Sequence, residues 1–232
     1  FPDFIFSDSD LGKVDKSSFN QQTLMELFTA NLTRKESIYL QEGTPDISEW
    51  MGVWIDDAGD VVTIEWTLLG LRGALDFRWI PPAVISVSIK NNFLEGSLDL
   101  TALPEKMDSF VVPANGFQGK ISLTQLPCLL RILNVSRNKL KGSLELTQLP
   151  PNLQEALFHE NRFSGVVDLT KLPLKLVNFY INANPLNGET DFSLLPESLL
   201  NFSVSNTNLS GELPRRPWQR CYTSGSLVTL LE

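Results

Sequence analysis

Cysteine and histidine, the residues of a thiol–imidazole catalytic pair, are scarce in this chain. It has two cysteines, Cys128 and Cys221, and one histidine, His159. A catalytic thiol needs an imidazole within hydrogen-bond reach. Cys128 follows Pro127 in a predicted turn, whereas His159 follows the buried position Phe158 in a predicted strand further along. We therefore expect the thiol and the imidazole on opposite faces, and we predict no catalytic residue and no enzyme.

Metal-ligand patterns do not occur in the sequence. The chain has no C-x-x-C spacing, and a single histidine excludes a His-rich site. The acidic segment 56–60 lacks the twelve-residue spacing and the closing glutamate of a calcium loop, so it is interpreted as a hairpin turn. We expect neither a metal nor a cofactor.

Acidic residues recur at one position, between two apolar residues of a predicted strand. Like charges that stack side by side repel one another, although solvent screens them. Such a column can attract a cation or a basic partner. Alternatively, it keeps the protein soluble and discourages pairing at a sheet edge, which is the interpretation we prefer. The column consists of Asp76, Asp99, Glu145, Asp168 and Asp191.

Length and charge limit the class of protein. With 232 residues, the chain suits one domain or one repeat array. Its net charge of −8 argues against a nucleic-acid binder, because phosphate contacts need clustered Lys and Arg. The sequence has no apolar run long enough for a membrane span. Because it begins with Phe1 rather than Met, we expect a fragment of a longer protein.

The elements that must position all of these residues are repeats of 23 residues. In one unit the pattern runs Leu133, Val135, Asn138, Leu140, Gly142, Leu144, Leu146, Leu149, Pro150, Leu153. A glycine column with the same spacing runs through seven copies, from Gly73 to Gly211. The asparagine column consists of Asn92, Asn115, Asn138, Asn161 and Asn184.

One unit is too short for a core of its own, so each coil must bury its leucines against its neighbours. The opening L-x-L alternates with period two and predicts a strand with one buried face. The asparagine at the strand end is expected to bond backbone groups of its own and the adjacent coil, which predicts a stacked ladder. Alternation after the glycine, as in Leu144/Leu146, predicts a second short parallel strand. The L-P-x-x-L segment predicts a short turn or 3₁₀ piece.

The text L-x-L-x-x-N-x-L-x-G-x-L-x-L-T-x-L-P-x-x-L resembles a leucine-rich repeat of the plant-type class. Its L-T-x-L-P ending is similar to protist repeats, especially kinetoplastid ones. The resemblance implies an α/β-type solenoid, a right-handed superhelix with a parallel concave sheet of about seven strands. It also implies a fold that binds proteins, a step that rests on analogy.

Three segments follow from this interpretation. Residues 1–63 form an N-terminal cap, residues 64–213 hold the repeats, and residues 214–232 form a C-terminal cap or tail. In the first segment, spacing predicts a helix over 19–31, a short helix over 46–51 with Asp46 as N-cap, and a hairpin that joins 52–55 to 61–66.

Evidence on the compartment points in two directions. The cap sequence Trp50-Met51-Gly52-Val53 is similar to the entry of plant-type repeat caps, which normally carry paired cysteines. This cap has none, so we expect a reducing, cytoplasmic compartment. Sequons at Asn31, Asn134, Asn201 and Asn208 leave a secreted or cell-surface location open.

The outward positions of the strands should form the concave surface, where larger side chains cluster in the middle. Exposed Tyr, Leu and Arg on a rigid surface are typical anchors for a partner, whereas single exposed apolar residues are also common without a function. Pro113 falls in one of these strands and predicts either a local irregularity or a different phase in that coil. The candidate contact residues are Lys90, Val111, Arg137, Leu157, His159, Glu160, Tyr180 and Asn182.

Three functional hypotheses follow. The first is a monomeric, non-enzymatic interaction module that binds a protein or peptide on its concave face. The second is a fragment of a secreted or cell-surface receptor or antigen. The third is an accessory domain of an enzyme whose chemistry lies in a neighbouring domain. No hypothesis requires a nucleic acid or a membrane span.

Overall fold

The opening residues of every repeat form a strand whose central side chain is buried. The computed structural model describes residues 16–39, 43 and 45–231. Within them, the centres of the repeat strands, such as Phe110, Leu133 and Phe179, are fully buried, and the flanking residues are only half-buried. Because each buried residue lies on the same residue of the next coil, one continuous core runs along the solenoid.

Nine of these strands form the main sheet. Seven of them come from the repeats, as expected, and one further strand extends the sheet at each end. The first pair is antiparallel and the rest are parallel, without a register shift between repeats. In order, the strands are Val53–Ile55, Val61–Glu65, Ser86–Ser88, Ser109–Val111, Ile132–Asn134, Glu155–Leu157, Asn178–Tyr180, Asn201–Ser203 and Arg220–Tyr222.

The predicted asparagine ladder is present. Asn161 is an example: its Oδ1 accepts a hydrogen bond from the Leu140 N–H (3.0 Å), and its Nδ2 donates to the carbonyls of Val135 (3.0 Å) and Phe158 (3.1 Å). The Val135 carbonyl also accepts from Asn138 of its own coil. Each asparagine therefore ties its coil to the preceding one through backbone groups that no strand pairing satisfies.

Pro113 fits the sheet without an irregularity or a shift in phase. Beyond the strands, Val112 and Ala114 donate their N–H groups to the next coil, at 2.8 and 3.1 Å, whereas the position between them donates none. The Pro113 carbonyl still accepts from the Asn91 N–H. Proline thus removes a donor that the ladder does not use, which makes it acceptable here.

The second strand lies earlier than predicted in most coils. We expected it after the column glycine, at pairs such as Leu144/Leu146. In six repeats the strand instead ends within two residues of that glycine, whereas Asn208–Pro214 continues three residues past it. The reason is the backbone of that glycine: Gly142 has φ +96°, which turns the chain out of the strand. These strands are Arg72–Ala74, Phe93–Glu95, Gln118–Gly119, Lys139–Gly142, Arg162–Phe163, Asn187–Glu189, Asn208–Pro214 and Leu227–Leu231.

The L-P-x-x-L segments form turns, as predicted. In six coils the N–H of the residue three positions after the proline donates to the carbonyl of that proline, for example Leu153 to Pro150 at 3.1 Å. Short 3₁₀ segments lie before two of these turns, at Phe77–Trp79 and Leu100–Ala102. The turns reverse the chain within each coil and return it to the next strand of the main sheet.

A helix and a hairpin cover the N-terminal end of the solenoid, as expected. The helix is shorter than predicted, Gln21–Phe28, because the Asn20 side chain accepts from the Thr23 N–H and caps it there. Asp46 caps the 3₁₀ segment Ile47–Glu49 through the Ser48 N–H. Strand Val53–Ile55 pairs with the first repeat strand, and the division of the chain at 63/64 and 213/214 stays a prediction.

Candidate functional site

The predicted anchors form one row across the outward face of the main sheet. Strand pairing sets Val111 beside Asn134, Asn134 beside Leu157, and Leu157 beside Tyr180. The side chains of Val111, Leu157 and Tyr180 are half-buried. The row continues through Ser203 to Tyr222 in the last strand, which is 51% exposed. The sheet thus presents two tyrosines and two aliphatic side chains along one line.

His159 lies next to Tyr180 at the edge of this row. Their rings meet edge to face, with centroids 5.8 Å apart. The imidazole Nδ1 is buried and has no hydrogen-bond partner among the described residues. Burial lowers the pKa of His159; the Glu160 carboxylate opposes this change and the Arg137 guanidinium adds to it. His159 is therefore neutral at pH 7 and packs as an aromatic ring.

Arg137 and Glu160 form an exposed ion pair in adjacent coils, with Arg137 Nε 3.0 Å from Glu160 Oε1. Their backbones have φ near +54°, which is unusual for residues with a Cβ. Residues at the same position of the other repeats, such as Ala114 and Ala183, share this conformation. This backbone conformation is therefore a property of the coil geometry, because it also occurs in repeats outside the candidate site.

Two predicted residues lie further from the centre of the row. Lys90 and Asn182 are half-buried, and their side chains occupy the same column as His159, three coils before it and one coil after it. The Lys90 and Asn182 carbonyls accept hydrogen bonds from Leu68 and Glu160 of the preceding coils. The eight candidates thus lie on one side of the sheet, and side-chain contacts join Arg137 to Glu160 and His159 to Tyr180.

Sequence reasoning missed a second row on the same face. Asn178 Nδ2 donates to Glu155 Oε1 (3.0 Å), and Asn201 Nδ2 donates to Asn178 Oδ1 (2.7 Å). Strand pairing continues this row to Arg220. The 23-residue spacing from 155 to 178 to 201 was the available signal, but it applied to the position two residues before the column that we examined. This polar row lies directly beside the tyrosine row.

The acidic column on the other side has a local structural role, and the solubility role that we preferred stays a prediction. Each carboxylate accepts the N–H two residues later: Asp168 from Thr170 (2.9 Å) and Asp191 from Ser193 (2.8 Å) are examples. The Thr170 hydroxyl also donates to Asp168. These bonds lower the pKa of Asp168 and Asp191.

The candidate thiol and imidazole are not brought together. Cys128 is exposed in the turn before one strand of the main sheet, and His159 follows the end of another strand, so the two lie toward opposite ends of the strands. Among the described residues, His, Cys, Asp and Glu do not gather in a group that could hold a metal ion. Over the same residues, every helix is too short or too polar to cross a membrane.

Comparison with solved structures identifies the fold. A plant ice-binding protein superposes with a TM-score of 0.71 at 17% identity, over 90% of this chain and 72% of that one. Pollen Receptor Kinase 3 gives a TM-score of 0.60 at 20% identity, over 90% and 96% of the two chains. The Arabidopsis receptor kinase HAESA, in complex with the peptide hormone IDA and the co-receptor SERK1, gives 0.64 at 20% identity. That match covers 84% of this chain and 39% of HAESA.

Searches of protein-family models and of curated sequences give no match. The assignment therefore rests on the structure: 23-residue coils, a parallel main sheet and the asparagine ladder, together with superposition on receptor ectodomains at identities that establish the fold alone. This chain has the fold of a leucine-rich repeat solenoid.

Proposed function

We propose that this solenoid is a non-catalytic binding module that holds a peptide, or an extended segment of a protein, on its concave face. The observation that carries the proposal is the line of Val111, Leu157, Tyr180 and Tyr222 beside the amides of Asn178 and Asn201. Aromatic and aliphatic side chains on a rigid sheet give contact area at little entropic cost. The neighbouring side-chain amides are hydrogen-bond donors and acceptors for the backbone of a peptide.

The shape and charge of the module support the same class of ligand. Nine strands at about 4.8 Å spacing span about 40 Å, which is the length of a peptide of roughly a dozen extended residues. The net charge of −8 disfavours a nucleic-acid partner. HAESA, which has a similar fold, is solved with a peptide hormone. We extend peptide binding to this chain as part of the proposal.

We also propose a secreted or cell-surface location, in place of the cytoplasmic one expected from the cap. Its support is that two of the solved structures with this fold are receptor kinases. The exposed sequons Asn31 and Asn208 are compatible with glycosylation. Expression with a secretion signal, followed by glycosidase treatment, tests this point: unchanged mobility on a gel contradicts it.

A peptide display library tests the binding function. Peptides are selected on the full chain and their dissociation constants measured on purified variants. A triple variant, Leu157→Ser, Tyr180→Ser and Arg137→Ser, should lose at least about 30-fold in affinity, because one interfacial anchor contributes about 2 kcal/mol.

The matched control places the same kinds of change on the opposite side of the coils. Leu174, Phe93 and Arg162 are exposed there, and their triple serine variant should keep full affinity. Circular dichroism verifies that both variants stay folded. Equal losses in the two variants, or no loss in the concave one, contradict the assignment of the face.

A further inference from the structure

A cavity of about 370 Å³ opens at the C-terminal end of the solenoid, next to the last strand of the main sheet. We call it the end pocket, and its lining residues are Arg215, Gln219, Arg220, Cys221, Tyr222 and Leu230. Arg220 and Tyr222 belong to the last strand of the main sheet, and Leu230 belongs to the last strand of the other side. The pocket therefore joins the concave face to the last strand of the other side.

The charge of the end pocket is positive, although the protein as a whole is acidic. Two of its lining residues are arginines, and among the residues that the structure describes none of the lining ones is acidic. Neither arginine forms an ion pair with a described residue. The neighbouring Arg216 differs: its guanidinium donates to the carbonyls of Pro196 and Leu195, at 3.1 and 2.9 Å, and fastens the last turn. Arg215 and Arg220 are thus available to a ligand.

Gln219 is an independent sign of a ligand site. Its Nε2 and Oε1 are both shielded from solvent, and neither has a hydrogen-bond partner among the described residues. Buried amides in folded proteins normally have partners, and an unsatisfied one destabilises the protein. A rotation of the Gln219 side chain toward the pocket would give this unpaired amide a partner in a bound ligand.

We propose that the end pocket binds a carboxylate on a short aliphatic stem. Guanidinium groups recognise carboxylates with paired, charge-assisted hydrogen bonds, and the Gln219 amide supplies a further donor. The Tyr222 ring and the Leu230 side chain offer apolar contact to the stem. Both the side chain of a glutamate and the free C-terminus of a peptide carry this group.

The position of the pocket suggests what it does for the protein. Arg220 continues the row of Glu155, Asn178 and Asn201 on the concave face. A peptide that follows this row would reach the end pocket with its acidic group, which fixes the direction in which the peptide lies. This consequence rests on the proposed peptide binding, whereas the chemistry of the pocket does not.

The pocket is tested with small probes by NMR on the ¹⁵N-labelled full chain. N-acetylglutamic acid α-amide presents a side-chain carboxylate, N-acetylnorvaline presents a terminal one, and N-acetylglutamine α-amide is the neutral match. We expect saturable shifts of the Gln219 side-chain amide with a dissociation constant on the order of 1 mM for at least one acid, and none for the neutral probe. The acid that binds more tightly identifies the source of the carboxylate.

Arg220→Ala and Arg215→Ala should each weaken binding of that acid by about 10-fold, since each removes a charge-assisted contact. Arg162→Ala, which changes an exposed arginine on the far side, should leave it unchanged. Absent shifts, equal shifts with the neutral probe, or an equal effect of Arg162→Ala would overturn the proposal. The triple concave variant should still bind the probe, so failure of the proposed peptide binding can be told apart from failure of the pocket.

Discussion

Replacement of Asn161 by alanine should destabilise the protein more than any surface change. Three of its hydrogen bonds are at 3.0–3.1 Å: one from the Leu140 N–H and two to the carbonyls of Val135 and Phe158. In the variant the buried Leu140 N–H has no acceptor, which costs about 1–3 kcal/mol. Val135 and Phe158 keep a second donor each, Asn138 and Asn184, so these two lost bonds cost only about 0.5–1.5 kcal/mol apiece.

The total is a loss of about 2–6 kcal/mol in the free energy of unfolding, measured by urea titration with circular dichroism. Asn208→Ala is the control, because Asn208 is exposed in its strand and should change stability by at most about 0.5 kcal/mol. A lower m value in the Asn161 variant would mean that the coils on either side unfold separately. A loss below about 1 kcal/mol with unchanged m would refute the view that the ladder holds the coils together.

Three further changes test other parts of the fold. Ala114 has φ +54°, so Ala114→Gly should raise the free energy of unfolding by about 0.5–1 kcal/mol, whereas Ala156→Gly in a buried strand should lower it. Burial lowers the pKa of His159, so the unfolded chain binds the proton at higher pH than the folded one, and stability should fall as the pH drops below about 6.5. A His159→Gln variant should lose less stability over this pH range, and an equal loss would contradict His159 as the origin of the pH dependence. Asp168→Ala should cost about 0.5–1 kcal/mol by thermal unfolding, and Asp168→Ser, which keeps an acceptor for the Thr170 N–H, should cost less.

The repeating parts of the fold were predictable because the same pattern of buried and hydrogen-bonding residues occurs in every unit. The alternation around Leu133 and the spacing of Asn138 identify a strand and the bond that ends it, and the register follows from the 23-residue period. The turn at Pro150 follows from the lack of a proline N–H. No single residue of this set would have been sufficient.

The parts that were missed depend on backbone conformation or on a change of period. Alternation at Leu144/Leu146 resembles a strand, but the positive φ of Gly142 places the strand earlier, and spacing does not report φ. The strand of the last coil could not be predicted from the repeat because Arg220 pairs with Asn201 only 19 residues earlier, which departs from the 23-residue period. The end pocket lies in that coil, so no column of the repeat points to it.

For the candidate residues, the sequence predicted which positions lie side by side better than which side chains form bonds. Outward columns placed Leu157 and Tyr180 together correctly, since register alone decides that contact. The ion pair of Arg137 with Glu160 joins the same column of adjacent coils, and the sequence did not show that the two would neutralise each other. Such ion pairs depend on side-chain torsion angles, which the sequence pattern does not give.

The asparagine ladder has a consequence for how this protein can change in length. Since every asparagine of the ladder bonds backbone groups of its own coil and of the coil before it, removal or duplication of a complete 23-residue unit leaves each backbone group with an equivalent partner. A one-residue deletion inside a strand exchanges the inner and outer positions of the rest of that strand. Insertions and deletions should thus be tolerated as whole units, and the reach of the concave surface should grow or shrink in steps of one strand.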